Sequence, residues 1–310
     1  MDKVAIIGAG HVGATAAHVI AQRELADVVM VDIAAGVAKG KSIDKMQAMA
    51  IHGSLVTIEG TDDFSRIAGS AVVVVTAGFA RGPGMSRADL LKKNAAVIES
   101  VIARVNEFAP ESIIIMVTNP LDDMTTFAYG LSGRGRAGIF GMGGVLDSGR
   151  FTYFISQKMR VPPAAVDAMV IGAHGDAMIP LIELATVNGV PLGESLSRDD
   201  LEELAERTRR GGAEIISHLK TGSAYYGPGT GVAKMVEAVV RDTGEVLPAC
   251  VYLTGEYGID GAAIGVPARF GRAGMLEIVD VALTPTETAV LQQSAADVKA
   301  AVEALRAGRA

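Results

Sequence analysis

Short apolar segments rich in Val and Ile alternate with longer amphipathic segments over the first half of the chain. The short segments predict buried strands at residues 4–7, 28–33, 71–76, 113–117 and 138–142. Helical periodicity lies between them at residues 14–22, 86–108 and 121–131, with Ser86 and Asp122 placed where helices begin. Because such alternation requires right-handed crossovers, we expect a doubly wound parallel α/β sheet over residues 1–143.

The pattern changes beyond residue 143 and predicts an α+β unit over residues 144–310. Asn188 and Gly189 lie between apolar segments and indicate a hairpin turn. The predicted elements are a helix at 146–159, strands near 166–171 and 182–187, helices at 198–219 and 231–241, two further strands, and a helix at 286–305. No obvious linker separates the halves, so we expect them to share an interface, where ligand clefts tend to lie.

Composition and charge exclude several classes of function. Hydrophobic residues make up 49% of the 310 residues and charged residues 20%, as in folded globular proteins. The net charge is -7 and basic residues form no cluster suited to a phosphate backbone, so nucleic acid is not an expected partner. The apolar runs are shorter than the roughly 18 residues of a membrane helix, and the N-terminus lacks the apolar region of a signal peptide. We expect a cytoplasmic protein without membrane or metal partners, with its single cysteine, Cys250, buried.

A glycine-rich turn follows the first predicted strand. The segment Gly8-Ala9-Gly10-His11-Val12-Gly13 has the spacing that lets a backbone approach a pyrophosphate at a helix N-terminus. Asp32 ends the second predicted strand about 20 residues beyond the third glycine, where a carboxylate hydrogen-bonds the adenosine ribose. The same carboxylate would repel a 2'-phosphate, and no Arg adjoins it. The sequence therefore predicts a Rossmann-type site for NAD in preference to NADP.

His174 is the best candidate among the histidines for a catalytic base. It lies in Gly172-Ala173-His174-Gly175-Asp176, after an apolar strand, and the glycines allow a ligand to approach closely. A structural role is expected for the other histidines, which are His11, His18, His52 and His218. A base of this kind takes the hydroxyl proton while a nicotinamide accepts the hydride.

Asp147 is the candidate partner of that base. A carboxylate beside a histidine fixes its tautomer and stabilises the imidazolium. Arg150 lies one helical turn further, so both side chains share a helix face, and its guanidinium suits a substrate carboxylate. Taken alone, Asp147 is equally consistent with a helix N-cap.

Arg81 and Arg87 lie in a Gly- and Pro-containing loop after the strand predicted at 71–76. Arginines in an arbitrary loop are usually solvated. This loop, however, follows the carboxyl end of a strand, where the ligand crevice of such sheets lies. We therefore expect a lid that closes over an anionic substrate and excludes water.

Four segments occur in a defined order: residues 81–87, Val117-Thr118-Asn119-Pro120, Val145-Leu146-Asp147 with Arg150, and Gly172-Ala173-His174-Gly175-Asp176. Together they resemble the lactate/malate dehydrogenase family, most closely its lactate-dehydrogenase-like branch. The resemblance covers essentially the whole chain. It implies a homodimer or homotetramer that transfers hydride between NAD and a small 2-hydroxy acid.

The resemblance also implies residue roles. His174 is the proton acceptor, Asp147 orients it, and Arg150 clamps the C1 carboxylate of the substrate. Arg87 polarises the reacting carbonyl. The remaining implied contacts are Asn119 with both cofactor and substrate, Val117 and Asn94 with the cofactor, and Ser223 with the substrate pocket.

Two positions depart from the family pattern. Gly82 occupies a position where a Lys often follows the first lid arginine, which implies a looser lid. Gly149 replaces the Ala often found before the clamp arginine, which bears on helix rigidity. Neither departure removes a reacting group.

Arg81 discriminates between substrates of this family, because lactate-specific members usually carry Gln there and malate-specific members Arg. An enclosed guanidinium needs an anion, which the second carboxylate of oxaloacetate supplies and the methyl group of pyruvate does not. We therefore expect reversible oxidation of (S)-malate to oxaloacetate. A dehydrogenase for lactate or another monocarboxylate and a non-catalytic NADH-binding sensor are the alternatives.

Overall fold

Strand and helix alternate over the first half of the chain. The computed structural model describes residues 1–80 and 85–308. Its elements in this half are β1 (Lys3–Ile7), α1 (His11–Gln22), β2 (Asp27–Val31), α2 (Ala35–His52), β3 (Ile58–Thr61), β4 (Val72–Val75), α3 (Arg87–Phe108), β5 (Ile113–Met116), α4 (Leu121–Ser132) and β6 (Ile139–Gly141).

These strands form one parallel array in the order β3-β2-β1-β4-β5-β6. Alternate residues of β1 face opposite sides, since Val4 and Ile6 join one buried cluster while Ala5 and Ile7 join another. Helices cover both faces, which explains why the strands are continuous apolar runs instead of alternating patterns. The prediction of a doubly wound sheet is confirmed. Its strand order reverses between β1 and β4, where ligands bind in such folds.

The second half mixes helices with antiparallel strands. Its elements are α5 (Gly144–Met159), β7 (Val166–Asp167), β8 (Val170–Gly172), β9 (Met178–Pro180), β10 (Thr186–Val187), β11 (Val190–Pro191), α6 (Arg198–Leu219), α7 (Tyr226–Val240), β12 (Val246–Thr254), β13 (Asp260–Gly271), β14 (Gly274–Ile278) and α8 (Pro285–Ala307).

The main sheet continues from the first half into the second. β12 pairs antiparallel with β6 through Cys250 and Gly141, and β13, β8 and β9 extend the order beyond it. β14 pairs with β13, while β7, β10 and β11 form a separate small sheet. This arrangement places the loop after β8 near the carboxyl ends of the parallel strands. Among the described helices, none is long and apolar enough to cross a membrane.

The hairpin prediction at Asn188 and Gly189 is confirmed. The two residues connect β10 to β11 and have φ values of +51° and +77°. Positive φ at both central residues matches the right-handed twist of the flanking strands.

Some predicted elements were wrong or missed. The strand predicted near 166–171 is divided between β7 and β8, which belong to different sheets. The segment predicted as a strand at 182–187 begins with a short 3-10 turn, Ile182–Leu184. The missed elements are α2, β3 and β9, together with one of the three strands β12, β13 and β14, of which two were predicted. The helix α7 starts at Tyr226, ahead of its predicted start at residue 231.

Candidate active site

The glycine turn after β1 is packed against the loop after β4. Gly8 has φ +106°, and a Cβ there would lie 2.7 Å from Thr76 Oγ1 and 2.8 Å from the nitrogen of Ala77. A Cβ at Gly13 would collide with the carbonyl oxygen of Gly8. Around Gly10, in contrast, no described heavy atom lies within 4 Å of a Cβ. The turn is therefore packed tightly against the sheet and leaves open space at the N-terminal end of α1, as a pyrophosphate-binding turn requires.

Two charged side chains hold the backbone of this turn. Asp32 accepts hydrogen bonds from the backbone N–H groups of Ala9 at 2.7 Å and of Ala34 at 2.9 Å. Lys41, on α2, donates from Nζ to the carbonyl oxygen of Ala9 at 2.6 Å. Both polar groups of Ala9 are thus fixed. Sequence reasoning missed Lys41 because α2 itself was missed.

Asn94 joins the loops that follow β4 and β5. Its Oδ1 accepts from the N–H of Phe79 at 2.7 Å, and its Nδ2 donates to the carbonyl oxygens of Asn119 at 2.6 Å and Phe79 at 3.1 Å. Asn94 is fully buried, so it supports the loops from behind. Val117 is half-buried and Asn119 is exposed, next to a cis peptide bond to Pro120.

The side chain of His174, in the loop after β8, contacts the side chain of Asp147, on α5. Nδ1 of His174 lies 2.7 Å from Oδ2 of Asp147, and the Asp147 side chain is only 2% exposed. Burial by itself lowers the pKa of His174, but the charge and hydrogen bond of Asp147, together with the charge of Asp122, outweigh burial, so the pKa is raised. The predicted pairing of base and orienting carboxylate is present in the geometry.

Asp147 also binds Arg150, whose Nη1 lies 2.9 Å from Oδ1. The helix α5 begins at Gly144 with Gly143 as its N-cap residue, so Asp147 is not the cap. Small residues of α6 leave space for the guanidinium, since a Cβ at Gly211 would lie 3.1 Å from Arg150 Cδ. A Cβ at Gly149 would meet no described atom within 4 Å, so this departure from the family pattern has no packing role.

Asp122 was missed as a site residue and was expected only as a helix start. It lies in the first turn of α4, and its Oδ2 accepts the backbone N–H of His174 at 2.9 Å. Burial raises the pKa of this carboxyl to about 6. Sequence spacing gave no signal of the contact, because 52 residues separate the two positions.

Four further residues were singled out from the sequence: Ser223, Arg81, Gly82 and Arg87. Ser223 is exposed in the connection between α6 and α7. That connection reaches the glycine turn, since the rings of Tyr225 and His11 stack with centroids 4.9 Å apart. Arg81 and Gly82 lie outside the described residues. Arg87 is the first residue of α3 and lies between Ser86 and Asp89, which form a capping box; its side chain is not among those described.

Two family models together match almost the whole chain. Residues 2–141 match the model of the lactate/malate dehydrogenase NAD binding domain, and residues 144–307 match that of the lactate/malate dehydrogenase alpha/beta C-terminal domain. A malate dehydrogenase of Roseiflexus sp. (strain RS-1) is 46% identical over 305 residues, covering 98% of this chain and 99% of the relative.

Solved structures show the same fold with two activities. A malate dehydrogenase of Cryptosporidium parvum superposes with a TM-score of 0.95 at 38% identity and covers 99% of both chains. A lactate dehydrogenase of the same organism, complexed with lactic acid and b-nicotinamide adenine dinucleotide, gives 0.94 at 37% identity and covers 98% of both chains. Backbone similarity therefore does not discriminate between the two substrates.

Proposed function

This chain belongs to the lactate/malate dehydrogenase family, and from that membership we propose that it is an NAD-dependent malate dehydrogenase, which interconverts (S)-malate and oxaloacetate. The observation that carries the chemistry is the contact of His174 with Asp147 at 2.7 Å, beside the contact of Arg150 with Asp147 at 2.9 Å. A base, its orienting carboxylate and a carboxylate clamp together form the set that a 2-hydroxy acid requires.

The residues around the glycine turn fit NAD. Gly10 leaves open space at the N-terminus of α1, and Asp32 follows β2 without an adjacent arginine. Bound NAD accepts or returns the hydride at C2 of the substrate. We assign the pyrophosphate to the turn and the ribose to Asp32, with Val117 and Asn119 along the cofactor and Asn94 behind them. The turn residues that complete this set are Gly8, His11, Val12 and Gly13.

His174 exchanges the proton in this proposal. Because Asp147 occupies Nδ1, the other ring nitrogen, Nε2, is left for the substrate hydroxyl. In malate oxidation His174 takes the hydroxyl proton, and in oxaloacetate reduction the imidazolium returns it. The raised pKa of His174 favours the imidazolium, whose charge Asp147 offsets.

Arg150 holds the C1 carboxylate of the substrate. Its Nη1 is engaged by Asp147, while its buried Nε has no hydrogen-bond partner among the described residues. A buried donor of this kind is costly unless it is satisfied, and a carboxylate accepts two parallel N–H bonds from a guanidinium. Ser223 and Asn119 would border the same pocket.

From the sequence, we also propose that Arg87 and Arg81 complete the site. Arg87 stabilises charge at the reacting oxygen, and Arg81 binds the second carboxylate. Arg87 is the first residue of α3, and Asn94, two turns further along the same helix, bonds the loops after β4 and β5, which supports a location of Arg87 over the cofactor. Arg81 is the residue that favours malate over lactate.

The division into residues 1–143 for NAD binding and 144–310 for substrate binding remains part of the proposal, and the two matched family models support it. We also propose a homodimer or homotetramer. Exposed apolar side chains on and after α2 support self-association, notably Ile43, Ile51 and Leu55. We further propose that the enzyme is cytoplasmic and serves the tricarboxylic acid cycle; the free, buried thiol of Cys250 is compatible with a reducing compartment.

The test is substrate oxidation by the purified protein with NAD. We expect NADH to form rapidly with (S)-malate, with oxaloacetate as the product, and far more slowly with (R)-malate or (S)-lactate. Turnover of lactate in preference to malate would assign the chain to the alternative activity. Binding of NADH without turnover of any 2-hydroxy acid would identify a non-catalytic sensor instead.

A further inference from the structure

Lys41, on α2, contacts the backbone of the glycine turn. Its Nζ donates to the carbonyl oxygen of Ala9 at 2.6 Å, while Asp32 accepts the N–H of the same residue at 2.7 Å. We propose that Lys41 is a positioning residue of the cofactor site: it holds the peptide between Ala9 and Gly10 so that the N–H of Gly10 points to the pyrophosphate. This inference rests on the proposed assignment of the pyrophosphate to the glycine turn.

Close packing of α2 on β3 brings Lys41 to the turn. A Cβ at Gly60 of β3 would collide with the carbonyl oxygen of Ala38, so only glycine permits this approach. Ala38 lies about one helical turn before Lys41. The backbone of α2 at this level is therefore fixed against the sheet, which limits the positions that the ammonium group can reach.

The carbonyl of Ala9 and the N–H of Gly10 belong to the same peptide plane. The bond between these residues is trans. In a trans peptide the carbonyl and the N–H point in opposite directions. Because Lys41 binds the carbonyl from the side of α2, the N–H of Gly10 points away from α2.

The surroundings of Gly10 leave this N–H available to a ligand. Gly10 is exposed, and its N–H has no hydrogen-bond partner among the described residues. The helix α1, which follows it, has no side-chain cap and no acidic residue in its first turn. Unpaired N–H groups at a helix N-terminus bind anions such as phosphate. The N–H of Gly10 therefore adds one donor to those that α1 presents.

The preceding peptide, between Gly8 and Ala9, is fixed independently of Lys41. The carbonyl oxygen of Gly8 accepts from Oγ1 of Thr76 at 3.0 Å, and the N–H of Ala9 donates to the carboxylate that follows β2. Ala9 is fully buried, so its carbonyl would lose its partner if Lys41 were replaced by an apolar residue. An unpaired buried carbonyl is costly. Loss of Lys41 therefore favours rotation of the next peptide, which turns the N–H of Gly10 away from the pyrophosphate.

The charge of Lys41 also suits an anion site. Asp32 brings a negative charge to the turn, and this charge repels a pyrophosphate. Lys41 and Asp32 bind opposite polar groups of Ala9, so a positive charge lies close to the negative one. The ammonium group of Lys41 therefore offsets the charge of Asp32 when a dinucleotide binds.

Fluorescence titration with NADH compares the wild type with variants of two lysines of α2. Lys41→Met should raise the Kd for NADH about tenfold, because an oriented hydrogen bond to a charged phosphate is lost. The KM for NADH should rise likewise, whereas kcat at saturating NADH should fall by less than about twofold. Lys41→Arg keeps a charged donor and should bind NADH within about threefold of the wild type.

Lys39→Met is the matched control, since Lys39 is an exposed lysine of the same helix. It should keep the wild-type Kd for NADH. If Lys41→Met does not fold, Lys41→Gln takes its place, because it also removes the charge and shortens the side chain. The Kd for NADH should then rise in the same direction.

Two measurements separate this positioning role from a direct contact of Lys41 with the nucleoside. Lys41→Met should weaken the binding of ADP-ribose, which contains the pyrophosphate, as much as that of NADH, and should leave the binding of adenosine unchanged. In a Gly10→Ala background, Lys41→Met should raise the Kd for NADH by less than about threefold, because effects that act through one contact are not additive.

An unchanged Kd for NADH in Lys41→Met would overturn the inference, as would an equal loss in Lys39→Met or an equal loss for adenosine. The full loss in the Gly10→Ala background would also overturn it, because Lys41 would then act independently of the N–H of Gly10. Unchanged NADH affinity in Gly10→Ala alone would instead refute the assignment of the pyrophosphate to the turn.

Discussion

At the scale of single residues, the chemistry depends on side chains whose charges are mutually compensated. Asp147 contacts both His174 and Arg150 and is nearly inaccessible to solvent, so one carboxylate aligns the proposed base and the proposed anion-binding group. The sequence predicted this trio, since each member lies in a short recognisable segment. It missed Asp122 and Lys41, which act through backbone atoms of residues distant in sequence. Such contacts leave no spacing pattern to detect.

Replacement of the base tests the trio. His174→Asn is expected to lower kcat for malate oxidation at least about a hundredfold, because proton transfer by a positioned base contributes that much or more. The Kd for NADH should change little, since the glycine turn is intact. His218→Asn, on the exposed end of α6, is the control and should retain wild-type turnover. Comparable activity in His174→Asn and wild type would refute the role of His174.

Replacement of Arg81 tests substrate choice. With Arg81→Gln, kcat/KM for oxaloacetate should fall by about a thousandfold, because the second carboxylate loses its proposed charged partner. The value for pyruvate should stay the same or rise. Arg104→Gln, an exposed arginine of α3 paired with Glu107, serves as the control for loss of a surface charge. Equal losses for both substrates would contradict the assignment of Arg81 as the selector.

At the scale of elements, strongly apolar strands and long amphipathic helices were predictable, while weakly patterned elements were not. α2 buries few side chains, which are Ala38, Ser42 and Met49, so its apolar face is too narrow to give a periodic signal. β3 contains Glu59 and Gly60 and is recognisable only by its pairing with β2. Contacts with the rest of the fold stabilise both elements, and a single sequence does not reveal those contacts.

The glycine turn offers a prediction in which stability and binding separate. Gly10→Ala should leave the Tm near that of wild type, because the new methyl group enters open space. It should weaken NADH binding roughly tenfold or more, because the backbone no longer approaches the pyrophosphate closely. Gly13→Ala, in contrast, should lower the Tm in addition to weakening NADH binding, since its Cβ would collide with the carbonyl oxygen of Gly8. Calorimetry and fluorescence titration with NADH measure the two effects, and undiminished NADH affinity in Gly10→Ala would contradict the assigned turn.

At the scale of the whole molecule, the two halves are joined by a continuous sheet and by packed helices. Glu237 of α7 is 8% exposed and accepts two hydrogen bonds from Arg23, which follows α1, at 2.7 and 2.8 Å. Arg241 adds a third contact at 3.0 Å. This connection holds the helix of the glycine turn against the helix that follows Ser223. The Arg23–Glu237 contact therefore joins the two halves through their helices, in addition to the shared sheet.

Loss of that connection should destabilise the fold without altering the chemistry. Glu237→Ala is expected to lower the free energy of unfolding by about 2 kcal/mol, because it removes charge-assisted hydrogen bonds from a buried acceptor. Glu59→Ala, whose ion pair with Arg66 is exposed, should cost less than about 1 kcal/mol. Urea denaturation measures both variants. Equal losses in free energy of unfolding for the two variants would show that the Glu237 contacts stabilise the fold no more than an exposed ion pair does.

Malate dehydrogenase activity of the whole molecule is tested by steady-state oxidation of NADH with oxaloacetate and with pyruvate. Both substrates are measured on the same purified protein under identical conditions. We expect a kcat/KM for oxaloacetate that exceeds that for pyruvate by about a thousandfold. Equal use of the two substrates, or a preference for pyruvate, would contradict it.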